Sequence, residues 1–217
     1  MLKPPNSLFA PSARTCAEEE EVVVAFGNQV AFHDPSSRMM AAGVDLRKSN
    51  AIVDLQGNVL AYAQTGGMMA PTPFEIVPGE KLYRFGSVGA GMHRVAVGSW
   101  WLERGAFEKL VSFAQAHDLS IGMALRYLCL VPPEWSDVTI LIRARANARL
   151  LAWRGLADTV VTKTNNGGPP VKMTQQNEIA ARRVYQLFIP GLVTGFLSIE
   201  QDFHLDQTAS RRGFLYF

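Results

Sequence analysis

Three short stretches carry residue types able to do chemistry. Lys81-Leu-Tyr-Arg-Phe-Gly-Ser87 sets Arg84 near the end of an apolar-flanked strand, and Val97-Gly-Ser-Trp-Trp-Leu102 follows closely. Later, Tyr185-Gln186 interrupts the otherwise apolar run Arg183-Val-Tyr-Gln-Leu-Phe-Ile189. A guanidinium is a fixed fork of donors suited to a phosphate or ribose oxygen. Adjacent tryptophans on a strand point to opposite faces, so Trp100 and Trp101 can place one indole in the core and one in a cleft. There it can stack a flat ring. Ser99 can donate to a carboxamide or ribose, and Gly98 lets the backbone approach a ligand closely. A buried Gln186 costs free energy unless its amide is bonded. Each feature also has a plainer reading. Arg84 can be an edge-strand arginine paired with a carboxylate, both tryptophans can be core, and Gln186 can sit on a solvated strand face.

Other chemistries find little support. The chain has no GxGxxG after a strand, no Walker A, no HExxH, no CxxC and no GxSxG. Gly86-Ser-Val-Gly-Ala-Gly91 is glycine-rich but lacks a P-loop lysine, and no helical pattern follows it at once. His33, His93, His117 and His204 do not pair at ligand spacing, so no metal site is expected. Arg143, Arg145, Arg149 and Arg154 form a local basic stretch without regular aromatic interleaving. It reads as a surface face before it reads as a nucleic-acid patch.

The elements that must position these residues change character along the chain. Residues 1–17 look like a loose leader broken by Pro4, Pro5 and Pro11, followed by the acidic run Glu18–Glu21. Val22–Phe26, Gly27-Asn28 and Gln29–Phe32 read as a hairpin, and Ala51–Leu55, Gln56-Gly-Asn58 and Val59–Tyr62 as a second. Residues 1–78 are therefore expected to be a β-rich N-terminal region, and 79–217 a second unit. Ala106 to His117 has helical spacing at 107, 110, 111 and 114. Ser120 is a candidate cap for a helix with an apolar face at 121, 124, 125, 128 and 129, stopped by Pro132-Pro133. Val138–Ile142 is a buried-strand run, 144–156 fits strand or helical turn, and Thr162–Pro170 is a loop. Strands, then two helices, then strands make an α+β domain.

Composition agrees with a packed domain. The 217 residues are 48% hydrophobic and 18% charged with a net charge of +2, a globular balance that announces no polyanion partner. Two scattered cysteines, Cys16 and Cys129, form no disulfide framework, so a reducing, cytoplasmic compartment is expected. The N-terminus lacks an apolar core of signal length, and no apolar run suggests a membrane span.

Leu82-Tyr-Arg84, Gly98-Ser-Trp-Trp101, a helical pair and Tyr185-Gln-Leu-Phe-Ile-Pro-Gly191 together resemble the layout of ADP-ribosyltransferase-like proteins, including RES-type NAD-consuming toxins. The resemblance covers residues 80–195. It implies a split antiparallel sheet with a helical pair, NAD as substrate, and transfer of ADP-ribose to a macromolecule or to water. It implies that Arg84 grips the NAD phosphates or ribose, and that Gly98, Ser99, Trp100, Trp101 and Tyr185 line the pocket. It also implies a toxin or effector delivered into a target cell, with a macromolecular acceptor or partner protein. The late catalytic glutamate of the family falls at Gln186. A neutral amide can bond a ribose hydroxyl but supplies no charge to a developing cation. The acid is then Glu178 or Glu103, or the protein is a binding relative without catalysis, or Gln186 positions a nucleophile in a variant mechanism. The rival class is a non-catalytic interaction protein presenting an apolar patch at Trp135 or at Phe214–Phe217.

Overall fold

The computed structural model describes residues 25–44, 51–166, 168–175 and 183–205. Within them lies a mixed α+β domain built on one large antiparallel sheet. Its strands are β4 (Met68–Ile76), β5 (Lys81–Gly86), β6 (Trp100–Glu103), β7 (Ile140–Ala146), β8 (Leu150–Ala157), β11 (Tyr185–Phe188) and β12 (Leu197–His204). They run in the order β12-β7-β5-β6-β11-β8-β4. The hairpin β1 (Ala51–Val53) and β2 (Val59–Tyr62) stands apart. A three-stranded sheet joins β3 (Gln64–Thr65), β9 (Val160–Thr162) and β10 (Val171–Met173).

Two helices form where periodicity places them. In α4 (Arg104–Ala116) the buried residues are Ala106, Phe107, Leu110, Phe113 and Ala114, one stripe at 3.6-residue spacing. In α5 (Ile121–Cys129) Ile121, Ala124, Leu125, Leu128 and Cys129 are buried, and the Ser120 side chain accepts from the Met123 N–H as the N-cap. Leu130 ends α5 in the left-handed conformation (φ 51°). Both stripes pack on Tyr83, Leu102 and Leu141 of the sheet. The opposite sheet face buries Leu82, Trp101, Ile142, Leu150, Leu187 and Ile189 beneath Val95 and Leu192.

The first expected hairpin is not formed. Gln29–His33 is the short helix α1, followed by α2 (Pro35–Ala41), while 1–24 lie outside the described residues. The reason is non-local. Asn28 is 4% exposed, donates to Leu151 O (2.8 Å) and Pro190 O (2.9 Å), and accepts from Leu151 N–H (2.8 Å). That fully used amide pins the segment across β8 and turns it away from strand pairing. Phe32 stacks on Trp153 at 4.5 Å, and Trp153 Nε1 donates to Ser37 Oγ. These helices thus cover the β8 side of the face that α4 and α5 cover elsewhere. The expected division after residue 78 falls between β4 and β5, both strands of the large sheet.

The second hairpin forms with the expected turn, Asp54 accepting from the backbone of Gln56 and Asn58. The glycine-rich run also differs from expectation. A 3-10 turn at Val88–Ala90 leads directly into α3 (Met92–Ala96), only five residues long.

Candidate active site: a cleft at the parting of the sheet

The site arises from a mismatch in strand pairing. Strand β5 pairs with β7 over its whole length, Lys81↔Arg145 to Gly86↔Ile140. It pairs with β6 only at Leu82↔Glu103 and Tyr83↔Leu102. Beyond that point Trp100 and Trp101 stay with Phe188 and Leu187 of β11. The sheet therefore parts after Tyr83, and Arg84 is the first residue at the parting.

Arg84 spans the gap with its side chain. Its Nη1 donates to Trp100 O at 2.5 Å, and its guanidinium carbon lies 5.9 Å from the Trp101 ring centroid. The Nε–H is buried with no hydrogen-bond partner, and Arg84 has no carboxylate partner among the described residues. Burial pushes its pKa down to about 10, which leaves it charged at neutral pH. Gly98 makes room for this arrangement: a Cβ there would lie 1.9 Å from Arg84 Nη2. The Gly98 carbonyl accepts from Trp101 Nε1 at 2.6 Å, locking the indole that backs the arginine.

The parting opens into a cleft of about 250 Å³. Its walls include Arg84, Trp100, Trp101, Gln186, Trp135 and Ser136, with apolar residues of α5 and the Gly66-Gly67 backbone. Trp101 is 2% exposed and belongs to the core, while Trp100 is half-buried against Phe188. The two indoles divide as alternation requires. Gln186 is 9% exposed, and its Nε2 donates at 3.4 Å to Cys129 O. Cys129 also borders the cleft, and full burial pushes its thiol up to about 12, so it is no nucleophile at neutral pH.

The structure brings together Arg84, Trp100, Trp101 and Gln186, and it separates the rest. Tyr185 points to the opposite face, where its ring lies 3.9 Å from the Arg154 guanidinium carbon. Glu103 is on that face too, bound to Arg154 Nη2 at 2.5 Å, so it is not an acid of this cleft. Ser99 does not line the cleft; its carbonyl accepts from Ile189 N–H and ties β6 to the end of β11. Glu178 and Phe214–Phe217 lie outside the described residues.

Sequence reasoning missed the rim. Trp135 reads there as a partner patch, yet it borders the cleft and donates from Nε1 to Thr162 Oγ1 at 3.1 Å. Its loop is held from within by Arg126, which donates to Val131 O (3.0 Å) and Ser136 O (2.8 Å). Beside it Gly66 and Gly67 have φ of 75° and 62°. A Cβ on Gly66 would meet Val160 at 2.7 Å, so the bare backbone there is a packing requirement. The Gly-Gly pair and the Pro-Pro stop were the only local signals for these walls.

The basic stretch resolves into ion pairs. Arg143 and Arg145 face Glu200, Arg149 pairs with Glu75 and Arg154 with Glu103. Among the described residues no cluster of three His, Cys, Asp or Glu could hold a metal, and no helix is long and apolar enough to cross a membrane.

No family model and no curated protein matches the chain. A solved structure, Rhs1-CT in complex with its cognate immunity protein RhsI1, is similar over 65% of this chain and 86% of that one, at 10% identity and a TM-score of 0.38. A likeness that distant assigns no function.

Proposed function

We propose that this domain binds NAD in an ADP-ribosyltransferase-like manner and cleaves its nicotinamide–ribose bond. The observation that supports the reading is the convergence of Arg84, Trp100, Trp101 and Gln186 on one cleft. A buried guanidinium with no carboxylate partner among the described residues suits an anionic ligand, whose charge would pair with it. The indole walls suit a flat ring. At about 250 Å³ the cleft lies just below the roughly 300–1,000 Å³ range of ligand sites, so in this reading it takes the ring and its sugar with the phosphates at the mouth.

In this reading Arg84 holds a phosphate or ribose oxygen and the walls exclude water from the glycosidic bond. The bond breaks with its electron pair leaving on nicotinamide. Water or an acceptor hydroxyl or amine adds to the sugar carbon and loses a proton. Gln186 bonds a ribose hydroxyl. The role as a toxin or effector, with a macromolecular acceptor, rests on the sequence resemblance.

A second reading is favoured by one observation: no carboxylate lines the cleft among the described residues. Without that charge the domain is an NAD-binding module with no turnover. One experiment separates the two. Nicotinamide release from NAD is followed for the wild type and Arg84→Ala, with lysate as acceptor source. Release by the wild type that falls at least a hundredfold in Arg84→Ala supports cleavage. NAD binding without release supports the binding module, and the absence of both removes NAD from the account.

A further inference from the structure

A second cavity, of about 320 Å³, lies between α4 and the helix-covered face of β5 and β7. It is lined by Lys81, Tyr83, Arg104, Phe107, Glu108 and Arg143, with Val111 and Ser112 at its edge. The pairing register explains why these groups meet. Lys81 and Tyr83 alternate onto one face of β5, and Tyr83↔Arg143 and Lys81↔Arg145 are direct partners. Like charges on paired strands repel, so the register concentrates positive potential that folding must tolerate. Three cations and one carboxylate line the cavity, and that carboxylate, Glu108, is bound to Arg104 Nε at 2.7 Å. Glu200 is shared between Arg143 and Arg145, and its charge also reaches Lys81 and Tyr83.

Cations outnumber carboxylates around this cavity. Lys81 has no ion-pair partner among the described residues. Arg143 is ion-paired with Glu200 through Nε at 3.2 Å without a well-aligned hydrogen bond, and Glu200 divides its charge between Arg143 and Arg145. The Tyr83 ring is stacked on Phe107 at 4.0 Å and 3°, which fixes the phenol in place. Its hydroxyl lies in the field of Arg143 and Arg104. Burial pushes the Tyr83 hydroxyl above the ordinary phenol range, so it remains a donor.

We infer that this groove is a second, oxyanion-binding site that takes a phosphate group through Lys81, Arg143 and the Tyr83 hydroxyl. Multiple cations around one tetrahedral anion give charge-assisted bonds that no single surface lysine provides. The site is separate from the Arg84 cleft: Tyr83 borders both cavities, and Arg84 lines only the first. The inference therefore does not depend on NAD. The phosphate can belong to a small ester or to a nucleic-acid backbone, two sources with the same chemistry at the groove.

The test is calorimetric titration of the full chain at low salt, with inorganic pyrophosphate in one arm and a twelve-nucleotide single strand in the other. Saturable binding in either arm is expected to weaken at least tenfold in both Lys81→Gln and Arg143→Gln, and to persist in Arg84→Ala. Binding in the oligonucleotide arm alone assigns the backbone as the source. Lys81→Gln, at a half-exposed position, keeps the test valid if Arg143→Gln unfolds. No saturable binding in either arm overturns the site, as does binding abolished by Arg84→Ala and untouched by Lys81→Gln.

Discussion

Arg84 and Arg154 occupy strands of the same sheet, yet they are held in opposite ways. Arg154 is paired with Glu103 and lies against the rings of Phe74 and Tyr185, so its charge is answered from within the fold. Arg84 has a carbonyl and a tryptophan face but no carboxylate among the described residues, while a buried Nε–H without a hydrogen bond is common to both arginines. The first arrangement stabilises a structure. The second stores an unmet demand for negative charge, which a ligand can meet. A buried cation without a counter-ion is costly, which is why Arg84, with none among the described residues, is the candidate for ligand binding.

Measurement can separate the two arginines, and the largest expected effect is on nicotinamide release. Beyond Arg84→Ala, Gly98→Ala is expected to reduce NAD binding at least tenfold, because the added methyl occupies the space of Arg84 Nη2. Ligand-detected NMR titration reads this directly; unchanged affinity would mean that the guanidinium need not sit where it is. Next in size is stability. Arg154→Ala leaves Glu103 without its cation and should cost about 1–3 kcal/mol in denaturant unfolding, between the values for exposed and buried pairs. Arg84→Met should cost less than about 1 kcal/mol or raise stability, since it removes an unanswered charge and keeps the packing volume. If Arg84→Met destabilises as much as Arg154→Ala, the contrast between the two arginines collapses.

Smaller effects test the same point through pH. The folded pKa of Arg84 lies below that of an unfolded arginine, at about 10. Anion affinity should be flat from neutral pH and fall as pH rises through about 10, when the cation is lost. The stability term has the opposite sign. Charge on Arg84 costs the ligand-free protein stability below about 10, and that cost is relieved as pH rises toward the ordinary arginine value. Fluorescence titration of ligand binding across this range checks the first statement, with Arg84→Met as the flat control. The smallest signal is chemical: Cys129 should resist alkylation at pH 8 in the native protein and react in denaturant, read by mass spectrometry. Rapid native labelling would show that the α5 wall of the cleft opens.

Several elements are legible in the sequence because their causes are local. The stripes of α4 and α5, the Ser120 cap and the turn at Gln56-Gly-Asn58 follow from spacing and side-chain chemistry within a few residues. The reading of 29–32 as a strand fails because Asn28 takes its partners from residues more than 120 positions away. The arginines at 143–154 look alike in sequence, and nothing local separates them from Arg84. Their partners, Glu75, Glu103 and Glu200, come from three different strands.

The candidate site divides along the same line. Sequence by itself determined the residue types available, an arginine, paired indoles and an amide, and the alternation that splits Trp100 from Trp101. It also placed Tyr185 in the pocket, where strand alternation beside Gln186 sends it to the other face. Only the tertiary structure decided that β5 leaves β6 after two residue pairs, and hence that Arg84 faces a gap. It alone set Trp135 and Gly66-Gly67 around that gap. The physical reason is that periodicity and capping act within a few residues, whereas strand register and charge pairing are settled between segments distant in the chain.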